Sequence, residues 1–216
     1  MTQFKHYRFT IAITASTLVV FFNPILTGWL QLEFAAVSNG QFWRVLTGHI
    51  THYDTPHLFW DLLMFGVLAG LCERAHPKIF PWLLGLSALS ISAVVACTGT
   101  VVYRGLSGVD TALFVWIAAD QIRSSLQSND RLTASIWMLP IFGLVGKLIF
   151  ETATGATLFA QSSSFNPLVE SHLAGVVAGG LSFVIPLWID EQSGKFPQSG
   201  HFASCNGSSQ TRVPST

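Results

Sequence analysis

The chain has 216 residues, of which 50% are hydrophobic and 10% are charged, and its mean hydropathy is +0.49. This composition is too apolar for a soluble domain of this size, so a lipid bilayer is the expected solvent. The 11 basic residues balance the 11 acidic ones, and this neutral charge gives no indication of a nucleic acid or of a strongly acidic substrate.

Six apolar segments, each of roughly 20 residues, are separated by charged or Pro/Gly-rich breaks and have the length that crosses a bilayer core. They cover residues 9–29, 57–72, 79–100, 107–122, 133–154 and 171–189. Lys and Arg concentrate before the first segment and after the second, fourth and sixth, which predicts that both termini are cytoplasmic. The sequence therefore predicts an all-α polytopic membrane protein, with six transmembrane helices in residues 1–190 and a disordered cytoplasmic tail in residues 191–216.

The first apolar segment begins after Lys5 and Arg8, a pattern shared with signal peptides. It is longer than the apolar core of a typical signal peptide, and Asn23 and Pro24 followed by Trp29 do not resemble a small-residue cleavage site. We therefore interpret it as a membrane anchor. The three cysteines lie far apart in the predicted topology and indicate no disulfide framework.

The second, fourth and sixth segments run in the same direction, and their N-terminal ends carry His57, Ser107 and His172. Residues able to act as acid, base and nucleophile are thus expected at one depth of the membrane. Each has a plainer interpretation when taken alone. Ser107 is a good N-cap residue for a helix, and the two histidines are compatible with half-hydrated positions at the interface.

The fourth segment favours a catalytic interpretation because it looks short. From Ser107 to the charged Asp120 and Arg123 it has about four turns, less than a full bilayer. Its start is therefore expected below the membrane surface, so residues 98–106 must enter the membrane as irregular backbone. Such backbone is tolerated only inside protein or beside a water-filled cavity, which predicts a submerged, wet pocket at Ser107.

Small residues recur four positions apart at the start of two segments, as Gly108 and Ala112 in the fourth and as Gly175 and Gly179 in the sixth. This spacing lets two membrane helices approach closely. The expected consequence, beyond packing itself, is that His172 comes near the start of the fourth helix.

A serine and a histidine in contact suffice for nucleophilic catalysis if the imidazole accepts the hydroxyl proton and nearby donors stabilise the oxyanion. The backbone N–H of Ser107, at the positive end of a helix, and the side chain of His57 are the candidate donors. This chemistry needs no metal and no cofactor.

Three motifs, in order, resemble those of rhomboid intramembrane serine proteases. They are QFWRVLTGHITHYDTPHLFWDLLMF (41–65), GLSG (105–108) and HLAGVVAG (172–179). The resemblance implies a rhomboid-like fold of six transmembrane helices and peptide-bond cleavage near the outer end of a substrate transmembrane helix. It implies a catalytic pair, Ser107 and His172, and oxyanion or supporting residues, namely His57, Asp61, Gly105 and Gly108.

Two positions depart from the usual rhomboid pattern: Asp61 stands where the family usually has an oxyanion-hole Asn, and Thr111 where many members have Tyr. Asp61 must be protonated to donate a hydrogen bond to an oxyanion; otherwise it is available to orient His57. This Asp, the short build and the sequence YRGLSGV are similar to the rhombosortase branch. That similarity implies a bacterial inner-membrane enzyme whose substrates carry a C-terminal Gly-Gly motif, an apolar helix and a basic end.

Two other functions stay open: a catalytically inactive rhomboid-like protein that binds or chaperones membrane helices and, more distantly, a transporter, for which no second half with repeated broken helices is visible.

The remaining charged residues of the segments have structural interpretations. Asp110 complements the dipole of the fourth helix, Lys147 and Glu151 pair one turn apart or snorkel, and Arg44 anchors the outer loop at the interface.

Overall fold

The computed structural model describes residues 6–156 and 168–193, and over these residues the chain is mostly helical. A 3-10 turn at Gly48–Ile50 precedes the fifth helix. The elements in chain order are α1 (Arg8–Phe21), α2 (Pro24–Leu30), β1 (Leu32–Glu33), α3 (Phe34–Ser38), α4 (Arg44–Thr47), α5 (Thr55–Ala75), α6 (Phe80–Ala96), β2 (Val102–Tyr103), α7 (Ser107–Gln127), α8 (Arg131–Thr154) and α9 (Val169–Ser193).

Apolar helices of spanning length support the predicted membrane protein. Within the described residues, α5 and α8 are long and apolar enough to cross a bilayer, and α1 with α2 adds a third span if this bent pair is counted as one. Helix α6 and the segment Val169–Ile185 of α9 are apolar but shorter. The count of six spans therefore stays a prediction. Helix α9 extends past the predicted tail boundary at 190, and residues 194–216 lie outside the described part of the chain.

The first apolar segment is divided into two helices, so the expectation of one helix over 9–29 is wrong. The chain bends by 116° between α1 and α2. Asn23 begins the second helix by accepting hydrogen bonds from the backbone N–H groups of Ile25 and Leu26, both at 3.1 Å. Pro24 follows at the first helical position, where its missing N–H costs nothing but where it cannot continue a preceding helix.

The fourth segment is longer than expected, because α7 has 21 residues and Asp120 and Arg123 lie inside it. At about 1.5 Å per residue, its length matches a bilayer core of roughly 30 Å. The prediction of a four-turn helix is therefore wrong, and with it the argument that helix length alone submerges Ser107. The helix ends instead at Gln127, and the positive φ of 58° at Asn129 then turns the chain.

The segment before α7 is irregular apart from two residues. Strand β2 pairs with β1 as an antiparallel ribbon in which Leu32 faces Tyr103 and Glu33 faces Val102. No periodic pattern in the sequence indicates this two-residue ribbon. It fastens the segment that leads into Ser107 to the loop that follows α2.

Two buried polar side chains hold the loop between α2 and α5. Arg44 is buried rather than interfacial, and it donates hydrogen bonds to the carbonyl oxygens of Gly28 at 2.9 Å and Gln31 at 2.8 Å, at the end of α2. His49 Nε2 lies 3.1 Å from the carbonyl oxygen of Ala88 in α6. Burial lowers the pKa of His49 to about 4, so this imidazole is neutral at pH 7 and donates one hydrogen bond.

Helices α7 and α9 cross at backbone contact, as their small-residue patterns predict. A Cβ added to Gly179 would overlap the carbonyl oxygen of Ala112 and lie 3.0 Å from its Cα. A Cβ added to Gly175 would overlap the carbonyl oxygen of Gly108. The close approach predicted from these glycines is therefore confirmed, and it brings the first turn of α9 against the first turn of α7.

The close crossing of α7 and α9 predicts that a Gly→Ala substitution lowers stability at Gly179 but not at the adjacent Gly180. Gly179→Ala adds a methyl group that meets backbone atoms unable to move aside, so we expect a loss of about 1–3 kcal/mol in the free energy of unfolding. Gly180→Ala is the matched control, since nothing lies within 4 Å of its added Cβ and Ala is the better helix former. Thermal unfolding in detergent measures both, and a Gly179→Ala protein as stable as the control would contradict the crossing.

Candidate active site

Ser107 is the first residue of α7, and its side chain is partly exposed. The preceding position, Leu106, is the residue at which the helix is capped, and no side-chain cap hydrogen bond is present there. Within residues 6–156 and 168–193, no hydrogen bond is found for the Ser107 hydroxyl. The structure therefore does not support the plainer interpretation of Ser107 as an N-cap.

His172 lies in the first turn of α9 and is buried, with 6% of its surface exposed. Its Nδ1 atom is 3.0 Å from Oε2 of Glu151 in α8. The neighbouring Ser171 contacts the start of α7: a Cβ added to Gly108 would lie 2.9 Å from its carbonyl oxygen. Ser107 and His172 thus occupy first turns that touch, although no hydrogen bond joins them in the described part of the chain.

Asp61, in the second turn of α5, gathers hydrogen-bond donors on one oxygen. Its Oδ2 atom lies 2.8 Å from the backbone nitrogen of Leu106, 3.0 Å from Nε2 of His52 and 3.2 Å from Nε2 of His57. A backbone N–H can only donate, so Asp61 acts as an acceptor here. This carboxylate ties α5 to the residue just before the candidate nucleophile.

The position of His57 is fixed by the N-cap of its own helix, α5. The carboxylate of Asp54 caps α5 and accepts a hydrogen bond from the backbone N–H of His57 at 2.9 Å. The His57 side chain is buried, and its ring stacks on Tyr53 with centroids 6.0 Å apart. Of the two roles that the sequence left open for Asp61, these contacts match the one in which it orients His57.

His52, His57 and Asp61 are residue types that commonly bind metal ions. The ligand atoms of His52, His57 and Asp61 lie within 4.8 Å of one another. The hydrogen bonds to the backbone of Leu106 and to both imidazoles already account for this arrangement. Burial lowers the pKa of His52 more than its hydrogen bond to Asp61 raises it, so a neutral His52 donates from Nε2. We therefore assign the cluster to hydrogen bonding.

Gly105 is required by both conformation and space. Its φ of +126° lies in the region that favours glycine, and an added Cβ would lie 2.7 Å from Nε2 of His57 and 3.2 Å from Oδ2 of Asp61. The absence of a side chain at this position lets the segment before α7 lie directly on the His57 and Asp61 pair. Gly105 thus supports the site through close approach of the backbone.

Two contacts at this site, those of His52 with Asp61 and of Glu151 with His172, are not predicted by the sequence. His52 lies in a loop without periodicity, and only its position five residues before His57 could have drawn attention to it. The predicted pair of Glu151 and Lys147 is present at 2.8 Å, but Glu151 also contacts His172. The approach of Glu151 to His172 joins two different helices, so no local pattern predicts it.

Two other polar residues of α7 lie beside this site. Thr111 donates a hydrogen bond to the carbonyl oxygen of Ser107 at 2.9 Å and packs against α9 at Gly175. Asp110 is buried, and neither of its carboxyl oxygens has a hydrogen-bond partner within the described residues. Its predicted role as a complement to the helix dipole is compatible with its place in the first turn.

A comparison with protein families identifies the class. The family model of the Rhomboid domain matches residues 39–188, which is more than half of the chain and includes each of the candidate site residues. The chain therefore belongs to the rhomboid family. Members of this family are in general serine proteases that act on transmembrane proteins within the bilayer, and some members are inactive.

The acceptor role of Asp61 predicts that Asp61→Asn destabilises the protein. The amide keeps one acceptor oxygen but loses the negative charge, so the hydrogen bonds that Oδ2 accepts from Leu106, His52 and His57 weaken, and we expect a loss of about 1–3 kcal/mol in the free energy of unfolding. Asp130→Asn is the control, because Asp130 caps α8 by accepting from Thr133, a function that Asn also performs. An Asp61→Asn protein that melts with the wild type would indicate that Asp61 is a protonated donor.

Proposed function

We propose that this rhomboid family member is an intramembrane serine endopeptidase with Ser107 as nucleophile and His172 as general base. The observation that carries the proposal is the contact between the first turns of α7 and α9. One turn presents a hydroxyl that is not used for capping, and the other presents an imidazole whose Nδ1 faces a carboxylate. A serine and a histidine so placed are what nucleophilic catalysis requires.

The reaction begins when Ser107 Oγ attacks the peptide carbonyl and its proton passes to Nε2 of His172. The tetrahedral intermediate collapses as His172 returns the proton to the leaving amine, and an acyl-enzyme forms on Ser107. Water or another amine then resolves this ester, which gives hydrolysis or transfer. No step calls on a metal ion or a cofactor.

The oxyanion is stabilised at the start of α7. The first backbone N–H groups of a helix have no intrahelical partner and lie at the positive end of its dipole, which favours the N–H of Ser107 as one donor. His57 is the second donor: its Nε2–H, which faces Asp61 in the resting site, is shared with the oxyanion when the oxyanion forms. Asp61 acts indirectly, by orienting His57 and by holding the backbone at Leu106. Gly105 and Gly108 allow the close approaches that this arrangement needs.

The substrate is a transmembrane helix that approaches sideways between α5 and α8 and is cleaved near its outer end. The loose packing of α8 supports this path, since its buried residues among those described are Ala134, Leu148 and Glu151. We propose a rhombosortase-type substrate with a C-terminal Gly-Gly motif, an apolar helix and a basic end. The protein then lies in a bacterial inner membrane with both termini cytoplasmic, as its distribution of Lys and Arg indicates.

A catalytically inactive protein that binds or chaperones membrane helices is the second candidate. It is favoured by the lack of a Ser107–His172 hydrogen bond within the described residues and by Asp61 in place of the usual Asn. Hydrogen bonds of catalytic groups are often long before a substrate is bound, so this geometry is compatible with both candidates. Chemical reactivity of Ser107 separates them.

Ser107→Ala is expected to abolish covalent labelling by a fluorophosphonate probe and to leave the protein folded in membranes. The hydroxyl makes no structural hydrogen bond among the described residues, so its removal costs little stability. Ser128→Ala is the control, because this exposed serine ends the same helix. In-gel fluorescence measures labelling, and a Ser107→Ala protein labelled like the wild type would exclude Ser107 as the nucleophile.

The same pair of variants tests the substrate class in cells. Mass spectrometry of the C-termini of secreted proteins is expected to show a cut near a Gly-Gly motif with wild-type and Ser128→Ala protein, and none with Ser107→Ala. A Ser107-dependent cut elsewhere would keep the protease and reject the rhombosortase branch.

A further inference from the structure

A carboxylate and an ammonium group from α8 meet the candidate general base. Glu151 Oε2 lies 2.8 Å from Nζ of Lys147 and 3.0 Å from Nδ1 of His172. The side chain of Glu151 is 1% exposed and that of His172 is 8% exposed, whereas Lys147 is 21% exposed. The carboxylate is therefore buried against the imidazole, and the ammonium lies at the more open edge.

The distances determine which ring nitrogen of His172 carries the proton. A carboxylate oxygen accepts, so Nδ1 must donate to Glu151 across the 3.0 Å contact. In the alternative tautomer, Nδ1 carries a lone pair that faces the carboxylate and can accept a hydrogen bond only from Lys147. The Nζ atom of Lys147 lies 3.3 Å from Nδ1 but 2.8 Å from Glu151. The Nδ1–H form satisfies the shorter contact, with Glu151, and leaves the ammonium of Lys147 bonded to the carboxylate rather than to the ring. In this neutral form Nε2 carries the lone pair.

We infer that Glu151 is a positioning residue for His172, which holds the imidazole with Nε2 free to accept the Ser107 proton. This inference rests on the proposed function, in which His172 is the general base. Glu151 also stabilises the imidazolium that forms when the proton is transferred, because the opposite charge lies in hydrogen-bond contact. Lys147 offsets the cost of burying the carboxylate and fixes its orientation.

The orientation of His172 depends on a third helix, α8, which carries the carboxylate of Glu151. The nucleophile lies on α7 and the base on α9, but the acceptor lies on α8, which has few buried residues. His172 is therefore oriented only while this part of α8 is packed against α9. If Glu151 served only to pair with Lys147 on the same helix, substituting Glu151 would leave the reactivity of Ser107 unchanged.

The experiment measures the second-order rate constant with which a fluorophosphonate labels Ser107 in the purified full-length protein. In this reaction the Oγ–P bond forms, the P–F bond breaks, fluoride leaves and the Ser107 proton passes to His172. Glu151→Gln is expected to lower the rate constant about 100-fold or more, because its amide can donate to Nδ1 and stabilise the wrong tautomer. Glu151→Asp, which keeps an acceptor, should fall between Glu151→Gln and the wild type.

Glu170→Gln is the matched control, since it makes the same chemical change at an exposed position of α9 two residues before His172. It should label at the wild-type rate. With a cleavable transmembrane substrate, Glu151→Gln should lower kcat and leave KM unchanged. A purely structural role would lower the folded fraction instead, so rates are normalised to protein that elutes as a folded species.

Failure of the inference is distinguishable from failure of the proposed function. Wild-type protein that shows no Ser107-dependent labelling overturns both. Ser107-dependent labelling with equal rate constants for the wild type and folded Glu151→Gln overturns the inference alone. If Glu151→Gln does not fold, Glu151→Asp decides: a rate constant lowered at least about 5-fold, with KM unchanged, supports the inference, and any smaller change overturns it.

Discussion

The contact between α7 and α9 is the constraint on which the rest of the structure depends. Membrane helices gain little from hiding apolar surface from lipid, so their association relies on close packing. Gly175 and Gly179 remove the side chains that would hold the two backbones apart at Gly108 and Ala112. Because the crossing extends to the first turns, where Gly108 meets Ser171, it determines how near a serine and a histidine, 65 positions apart in the chain, can come to each other.

Buried carboxylates provide the second level of organisation. Glu73 in α5 accepts hydrogen bonds from the backbone N–H groups of Phe9 and Thr10, both at 2.9 Å, and so holds the start of α1. Asp61 in α5 holds the segment before α7, and Glu151 in α8 reaches His172 in α9. Burying a charge is costly unless it is paired and hydrogen-bonded, so each carboxylate fixes the relative position of two segments of the chain. Two of the three do so at the candidate active site.

The sequence revealed those parts of the site whose signals are local. Glycines four residues apart predicted the crossing, and the motif GLSG (105–108) indicated Ser107 as the candidate nucleophile. Asp120 and Arg123 lie within α7 rather than at its end, because charged residues do not by themselves stop a helix. Asn23 and Pro24 are a local signal for the bend after α1, but residues 9–29 are apolar throughout, and this continuous hydropathy favours a single helix. The contact of Glu151 with His172 depends on how α8 packs against α9, which no pattern along the chain encodes.

A crystal structure of the fluorophosphonate adduct in a lipid phase would test the central claim most directly, because the probe marks the nucleophile and reports the position of the base. The account predicts phosphorus bonded to Oγ of Ser107, Nε2 of His172 within about 3.5 Å of an oxygen of the adduct, and Nδ1 still on Glu151. An adduct on another residue would contradict it, as would a His172 ring directed away from the modified serine.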